Sequence, residues 1–211
     1  MNDFSSITLH RGRKKKELVV HNPTSYPLIG KGVQGAVFKL KEDRCLKIYL
    51  KPENVAKEKE AMLKCQGMSF MPKFYESGPN YIIMEYIDGT PLGHFLKEQG
   101  TIAESITQQL VNIKKEMKSA GFTNLDCHVN RHIFVDQQQI VKMVDYASTN
   151  DRQSPIPVRL LNTLSELGLI ELFLTQVKGM DYELYSEWKN FLSKSKSKSK
   201  SKSKSKSKHR K

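Results

Sequence analysis

The sequence predicts an α+β fold of two lobes, sheet-rich toward the N-terminus and helical toward the C-terminus. Three observations carry that prediction. Short apolar runs broken by glycine and charged turns fill the stretch from Leu18 to Tyr49, the pattern of an antiparallel meander. A three- and four-residue apolar rhythm takes over from Thr101 to Ser119, which is helical spacing. Strands and helices are segregated along the chain, with no regular alternation between them, and such segregation builds α+β architectures.

The elements follow in order. Residues 1 to 17 are polar and basic, with Arg11, Arg13, Lys14, Lys15 and Lys16, and read as a flexible, solvated arm. The N-lobe spans about 18–86. Its strand candidates are Leu18-Val19-Val20, Val37-Phe38-Lys39-Leu40 and Cys45-Leu46-Lys47-Ile48-Tyr49. Asn54 to Gln66 reads as a helix with Val55, Glu58, Met62 and Cys65 on one face. Phe74-Tyr75 and Tyr81 to Met84 are two further strands, and Asp88-Gly89 breaks the pattern.

The C-lobe, about 87–192, contains the clearest helix. Thr101 and Glu104 form a capping box, Ile106, Leu110, Ile113 and Met117 make the stripe, and Gly121 closes it. Ile133 to Val135 and Ile140 to Val144 form a hairpin around Asp136 to Gln139. Val158 to Val177 and Tyr182 to Leu192 are helical, with Gly168 weakening the first. From Ser193 to Lys208 Ser-Lys repeats eight times. With nothing apolar to bury, the 193–211 tail is expected to be disordered.

Composition narrows the class of protein. The net charge is +13 over 211 residues, but the tail holds nine Lys and one Arg with no acid, leaving 25 basic against 22 acidic residues in the body. Three well-separated cysteines, Cys45, Cys65 and Cys127, suggest neither a disulfide framework nor a zinc site. No apolar run reaches the roughly eighteen residues of a membrane span. A reducing, cytoplasmic location is the expectation.

Chemistry is concentrated in a few segments. Gly30-Lys31-Gly32-Val33-Gln34-Gly35-Ala36-Val37 is a full GxGxxGxV between two strand runs. Such a loop lays backbone N–H groups over phosphates, and Val37 can roof an adenine ring. Lys47 sits centrally in an apolar strand and needs an anion. Glu58, eleven residues on and facing the apolar side of its helix, is the first choice of partner, with Glu60 second.

These residues, with Ile83-Met84-Glu85-Tyr86-Ile87-Asp88-Gly89, resemble the N-lobe and hinge of the eukaryotic-like (Hanks-type) protein kinase superfamily. The resemblance implies an ATP- and Mg2+-dependent phosphotransferase with a protein kinase-like two-lobed fold. Met84 would be the gatekeeper, with the backbone of Glu85 and Ile87 against the adenine edge. Val144-Asp145-Tyr146-Ala147 is similar to the family's Asp-Phe-Gly, making Asp145 a metal ligand. Asn124-Leu125-Asp126 stands where the family has His-Arg-Asp, making Asp126 the residue at the acceptor hydroxyl. Lys47 would hold the phosphates and Glu58 would orient it.

The second metal ligand is open. The family's Asn follows the catalytic Asp by five positions, where this chain has Arg131; register back from Asp145 points to His132, and oxygen chemistry points to Asn130. Asp126, His128 and His132 also spell D-x-H-x-x-x-H, a transition-metal pattern without a helical face to assemble it. No Ala-Pro-Glu follows Asp145, which is similar to compact bacterial Ser/Thr kinases and RIO-type kinases. The expected function is Ser/Thr protein phosphorylation. A pseudokinase scaffold and a small-molecule kinase of the aminoglycoside or choline type are the alternatives. The expected partners are a protein substrate and, through the tail, a nucleic acid or other polyanion.

Overall fold

The computed structural model describes residues 3–14, 16–145 and 154–207. A 3-10 turn, Asp3–Ser6, leads into a hairpin of β1 (Thr8–Arg11) and β2 (Leu18–His21). Five antiparallel strands then form the main sheet: β3 (Leu28–Lys31), β4 (Gly35–Lys39), β5 (Arg44–Tyr49), β6 (Phe74–Ser77) and β7 (Tyr81–Glu85). Their order is β3-β4-β5-β7-β6, with α1 (Pro52–Lys64) inserted after β5. The second lobe holds α2 (Leu92–Gln99), α3 (Glu104–Ser119), α4 (Val158–Glu166), α5 (Ile170–Met180) and α6 (Tyr182–Ser207). A small sheet of β8 (Gly89–Pro91), β9 (Ile133–Asp136) and β10 (Val141–Met143), ordered β10-β9-β8, joins the lobes.

The central strand β5 explains the layering. Side chains alternate faces along a strand, so Cys45, Lys47 and Tyr49 point one way and Leu46 and Ile48 the other. Cys45 and Tyr49 join the large core shared with α1 and the C-lobe helices. Leu46 and Ile48 join Phe38 and Ile83 in a second cluster completed by Phe4, Ile7 and Leu18. The N-terminal segment is therefore no flexible arm. Phe4 and Ile7 are buried, Phe4 packs edge-on against Tyr81, and Leu9 packs onto the same cluster. The basic residues dominate the composition there, yet three apolar side chains spaced between polar ones cover a sheet face that would otherwise meet water. Leu18 to Val20 pairs with this segment and lies outside the main sheet.

Other expectations are corrected locally. The capping box at Thr101 and Glu104 does not form: α3 starts at Glu104 behind Ala103, with no side-chain cap. Burial of Ile102, whose carbonyl accepts from Gln176, anchors that end instead. Helix α2 was not expected; its Leu92 and Leu96 are fully buried, but eight residues give too short a rhythm to read. Val158 to Val177 is two helices, because Gly168 turns left-handed at φ 74°. At the C-terminus the helix does not stop at Leu192. Trp188 stacks on Phe173 with centroids 5.7 Å apart, and α6 continues from this packed start through the Ser-Lys repeat to Ser207. Propagating an existing helix avoids the nucleation cost that an isolated Ser-Lys segment would face. Among the described residues, no helix is long and apolar enough to cross a membrane.

Candidate active site

The β3–β4 turn carries the glycine motif. Gly32 donates to the Gly35 carbonyl across the turn at 2.9 Å, and Leu50 donates to Gln34 at 2.8 Å. A side chain at Gly35 would run into the carbonyl oxygen of Ile48 on β5, whereas Gly30 and Gly32 have room for one. The strand register places Val37 directly opposite Lys47. Val33 is exposed at the tip beside Lys31, and its carbonyl accepts from Arg11 of the N-terminal hairpin at 2.9 Å. Sequence reading gave Arg11 no such role.

Lys47 is the hub. Its Nζ donates to both Glu58 oxygens at 2.7 Å and stands 3.6 Å from Asp145 Oδ1. Glu58 is buried on the inner face of α1, while Glu60 is exposed, so the first-choice partner is the one brought to Lys47. Burial alone would lower the Lys47 pKa, but the charges of Glu58 and Asp145 and their hydrogen bonds outweigh it and raise it. The ammonium is thus held protonated. Around it, burial pushes the Cys45 thiol up to about 12 despite the nearby Lys47 charge. The pKa of the Tyr49 hydroxyl is raised by burial and by the neighbouring Glu58 carboxylate.

Met84 is buried on β7 opposite Cys45. The Glu85 N–H donates to the Lys73 carbonyl at 2.8 Å, and its own carbonyl accepts the Cys45 thiol at 3.6 Å. Ile87 follows, half-buried, where the chain leaves the sheet. Met84 and Glu85 thus lie on β7, and Ile87 follows it on the way to β8.

The β9–β10 hairpin delivers the second carboxylate. Ile133 pairs with Met143, so His132 and Val144 flank the ladder, and the Val144 N–H donates to the His132 carbonyl at 2.9 Å. Asp145 follows in the left-handed region at φ 64°, a conformation that costs a non-glycine residue on the order of 1 kcal/mol or more. His132 Nε2 lies 3.6 Å from Asp145 Oδ2. Burial lowers the His132 pKa, opposed by Asp145 and assisted by His128, Lys47 and Arg131, so the imidazole is neutral at pH 7. Asn130 is exposed and its Oδ1 lies over Gly93 of α2, at the spot a side chain there would need. Of the two candidates, the fold sets His132 beside Asp145. Tyr146 and Ala147 lie outside the described residues.

Asp126 is held by a residue that sequence reading missed. Arg159, in the first turn of α4, donates its backbone N–H to Asp126 Oδ1 at 2.7 Å. Its guanidinium donates to Oδ2 at 3.0 Å and to the Asp126 carbonyl at 2.8 Å. Asn124, in the place of the family's His, accepts the Asp126 N–H at 3.0 Å. The thirty-three-residue separation left no local signal for Arg159. The D-x-H-x-x-x-H pattern does not assemble: Asp126 faces Arg159 and His132 faces Asp145, and His128 meets His132 only edge to face. No group of three or more His, Cys, Asp or Glu suited to a metal ion occurs among the described residues.

No protein-family model matches the chain. The Bacillus subtilis (strain 168) protein named "Putative serine/threonine-protein kinase YrzF" is 29% identical over 149 residues, which is 68% of this chain and 69% of that protein. Among solved structures, the crystal structure of Rad53 1-466 in complex with AMP-PNP aligns with a TM-score of 0.43 at 20% identity. That alignment covers 58% of this chain and spans 38% of the Rad53 chain. The sheet-then-helix lobes, the Lys47–Glu58 pair beside Asp145 and the kinase-named bacterial relative together support a member of the protein kinase-like superfamily.

Proposed function

We propose that the protein is an ATP-dependent Ser/Thr protein kinase. The observation that carries this reading is Lys47, held by both Glu58 oxygens and 3.6 Å from Asp145, on the strand paired with the glycine loop. In that arrangement Lys47 binds phosphate oxygens, Glu58 fixes its position, and backbone N–H groups of residues 30–35 cover the phosphates. Asp126 orients the acceptor hydroxyl of a protein substrate. Magnesium fits the donor set through Asp145, because this ion commonly takes one or two carboxylates plus substrate phosphates and keeps several waters. When bound it would neutralise charge on the phosphates. His132 is a poor oxygen-site ligand, so it serves better as a neighbour that positions Asp145.

A second reading is favoured by the Arg159 clamp. Both Asp126 oxygens are engaged by Arg159, which suits a nucleotide-binding pseudokinase in which Asp126 serves structure. Labelled γ-phosphate ATP with magnesium and a generic acceptor protein separates the two. A kinase labels protein, and Lys47→Ala lowers labelling by about a hundredfold or more. A pseudokinase binds ATP, and Lys47→Ala weakens that binding, but no protein is labelled. Labelling that survives in folded Lys47→Ala would overturn the assignment.

The tail is proposed to meet nucleic acid or another polyanion, supported by its run of lysines without acids.

A further inference from the structure

Lys114 is, with Glu58, one of two buried ionisable side chains among the described polar and charged residues. It lies on α3 between Ile113 and Met117 and is 8% exposed, yet it makes no hydrogen bond or ion pair among the described residues. A buried ammonium without a partner is costly. The carboxylate whose charge reaches it, Asp126, has both oxygens committed to Arg159. Cys127, the other group near it, is a buried thiol whose pKa burial raises, so it is neutral at pH 7.

Lys114 borders a cavity of about 640 Å3 between α3, residues 122–125 and the start of α6. That volume falls within the range of small-molecule sites. Phe122, Leu125, Leu184 and Trp188 supply apolar walls. The mouth carries both signs. Lys115 is neutralised by Asp181 at 2.7 Å, and Lys118, Glu183 and Glu187 line the cavity as well. Lys115, Lys118, Glu183 and Glu187 are all exposed, so water and salt screen them. The unscreened charge is the buried Lys114.

We propose that this cavity binds a small monocarboxylate with an apolar body, its carboxylate meeting the Lys114 ammonium and its body packing on Phe122, Leu184 and Trp188. A monoanion suits the site better than a phosphate dianion, because Glu183 and Glu187 stand at the mouth. The site lies outside the Lys47–Asp145 centre and does not depend on the kinase reading. It adjoins the segment that leads into Asp126, so an occupant would bear on that loop.

Trp188 is the single tryptophan of the chain and lines the cavity, so its emission reports occupancy. The full chain is titrated at pH 7 with 4-phenylbutanoate, 4-phenylbutan-1-ol and 4-phenylbutylamine, following Trp188 emission. The expected result is saturable binding of the carboxylate, with the alcohol and the amine each weaker by about ten- to a hundredfold. Lys114→Met should weaken the carboxylate by a similar factor and leave the alcohol unchanged. Absence of a saturable change with the carboxylate would overturn the proposal. So would an alcohol or amine that binds wild type as tightly, a comparison that needs no variant to fold. Failure of phosphoryl transfer would leave this site standing, because its readout uses no ATP.

Discussion

Single residues decide the electrostatics of this chain. Lys47 is half-buried and Lys114 buried, and the two ammonium groups have opposite fates: Glu58 and Asp145 raise the pKa of the first, and burial pushes the second down to about 8. The sign of the consequence follows. Between about pH 8 and the ordinary 10.5, the unfolded chain keeps a proton on Lys114 that the folded chain has lost. Stability linked to Lys114 therefore rises with pH across that window and is level below it. The groups around it are Asp126 and Cys127 on the loop below, Arg159 on α4, Lys115 and Lys118 on its own helix, Asp181 between α5 and α6, and Glu183 and Glu187 on α6. Urea unfolding of wild type and Lys114→Met at pH 7 and pH 10 isolates the contribution of this ammonium. The variant should be more stable at pH 7 by up to about 3 kcal/mol, and the gap should close at pH 10. At the other end of the segment from Asp126 to His132, His132→Asn puts an amide oxygen next to Asp145. On the kinase proposal it should raise labelling at limiting magnesium several-fold, while Asn130→Ala should stay within about twofold of wild type. A reverse ranking would restore Asn130 as the ligand.

At the scale of elements, the glycine motif separates into parts. Gly35 is required by the close approach of β5, because any side chain there meets the Ile48 carbonyl; Gly30 and Gly32 have space. Gly35→Ala should destabilise the chain by about 1–3 kcal/mol in urea unfolding. Gly30→Ala and Gly32→Ala should change stability by less than about 0.5 kcal/mol. If the two open glycines nevertheless weaken ATP binding, their role is to let phosphates approach the loop backbone. The motif was legible from the sequence because it is contiguous. The separate demands on its glycines were not, since the obstructing oxygen belongs to another strand.

For the whole molecule, the two ends of the chain play different parts. The N-terminal segment closes the outer face of the sheet through Phe4 and Ile7 and touches the glycine loop through Arg11. The C-terminal helix packs through Trp188 and then carries the Ser-Lys repeat. Deleting Ser193 to Lys211 removes +10 of charge and leaves Trp188 in place. On the proposed polyanion role of the tail, the truncated protein should bind DNA or RNA far more weakly at matched salt, with any ATP binding unchanged. With about five phosphate contacts, the full chain should show a slope of log affinity against log salt near −4 to −5. Equal binding by the truncated protein would return the tail to a solubilising role, and preference for anionic vesicles would identify a membrane surface as partner.

What the sequence determined by itself was local: the segregated strands and helices, the glycine loop, Lys47 in its strand, Glu58 on the inner face of its helix, and the hairpin that ends at Asp145. Each is written in a period of two or 3.6 residues or in a contiguous motif, so neighbours along the chain suffice to read it. Tertiary structure decided the rest. The cover formed by Phe4 and Ile7 depends on a sheet face that exists only once β4, β5 and β7 pair. The choice of His132 over Asn130 as neighbour of Asp145 depends on hairpin register and on Gly93 of α2. The Arg159 clamp and the burial of Lys114 arise from elements far apart in the chain that pack around one loop. A charge's partner is set by which surfaces burial brings together, and that information is distributed over the whole fold.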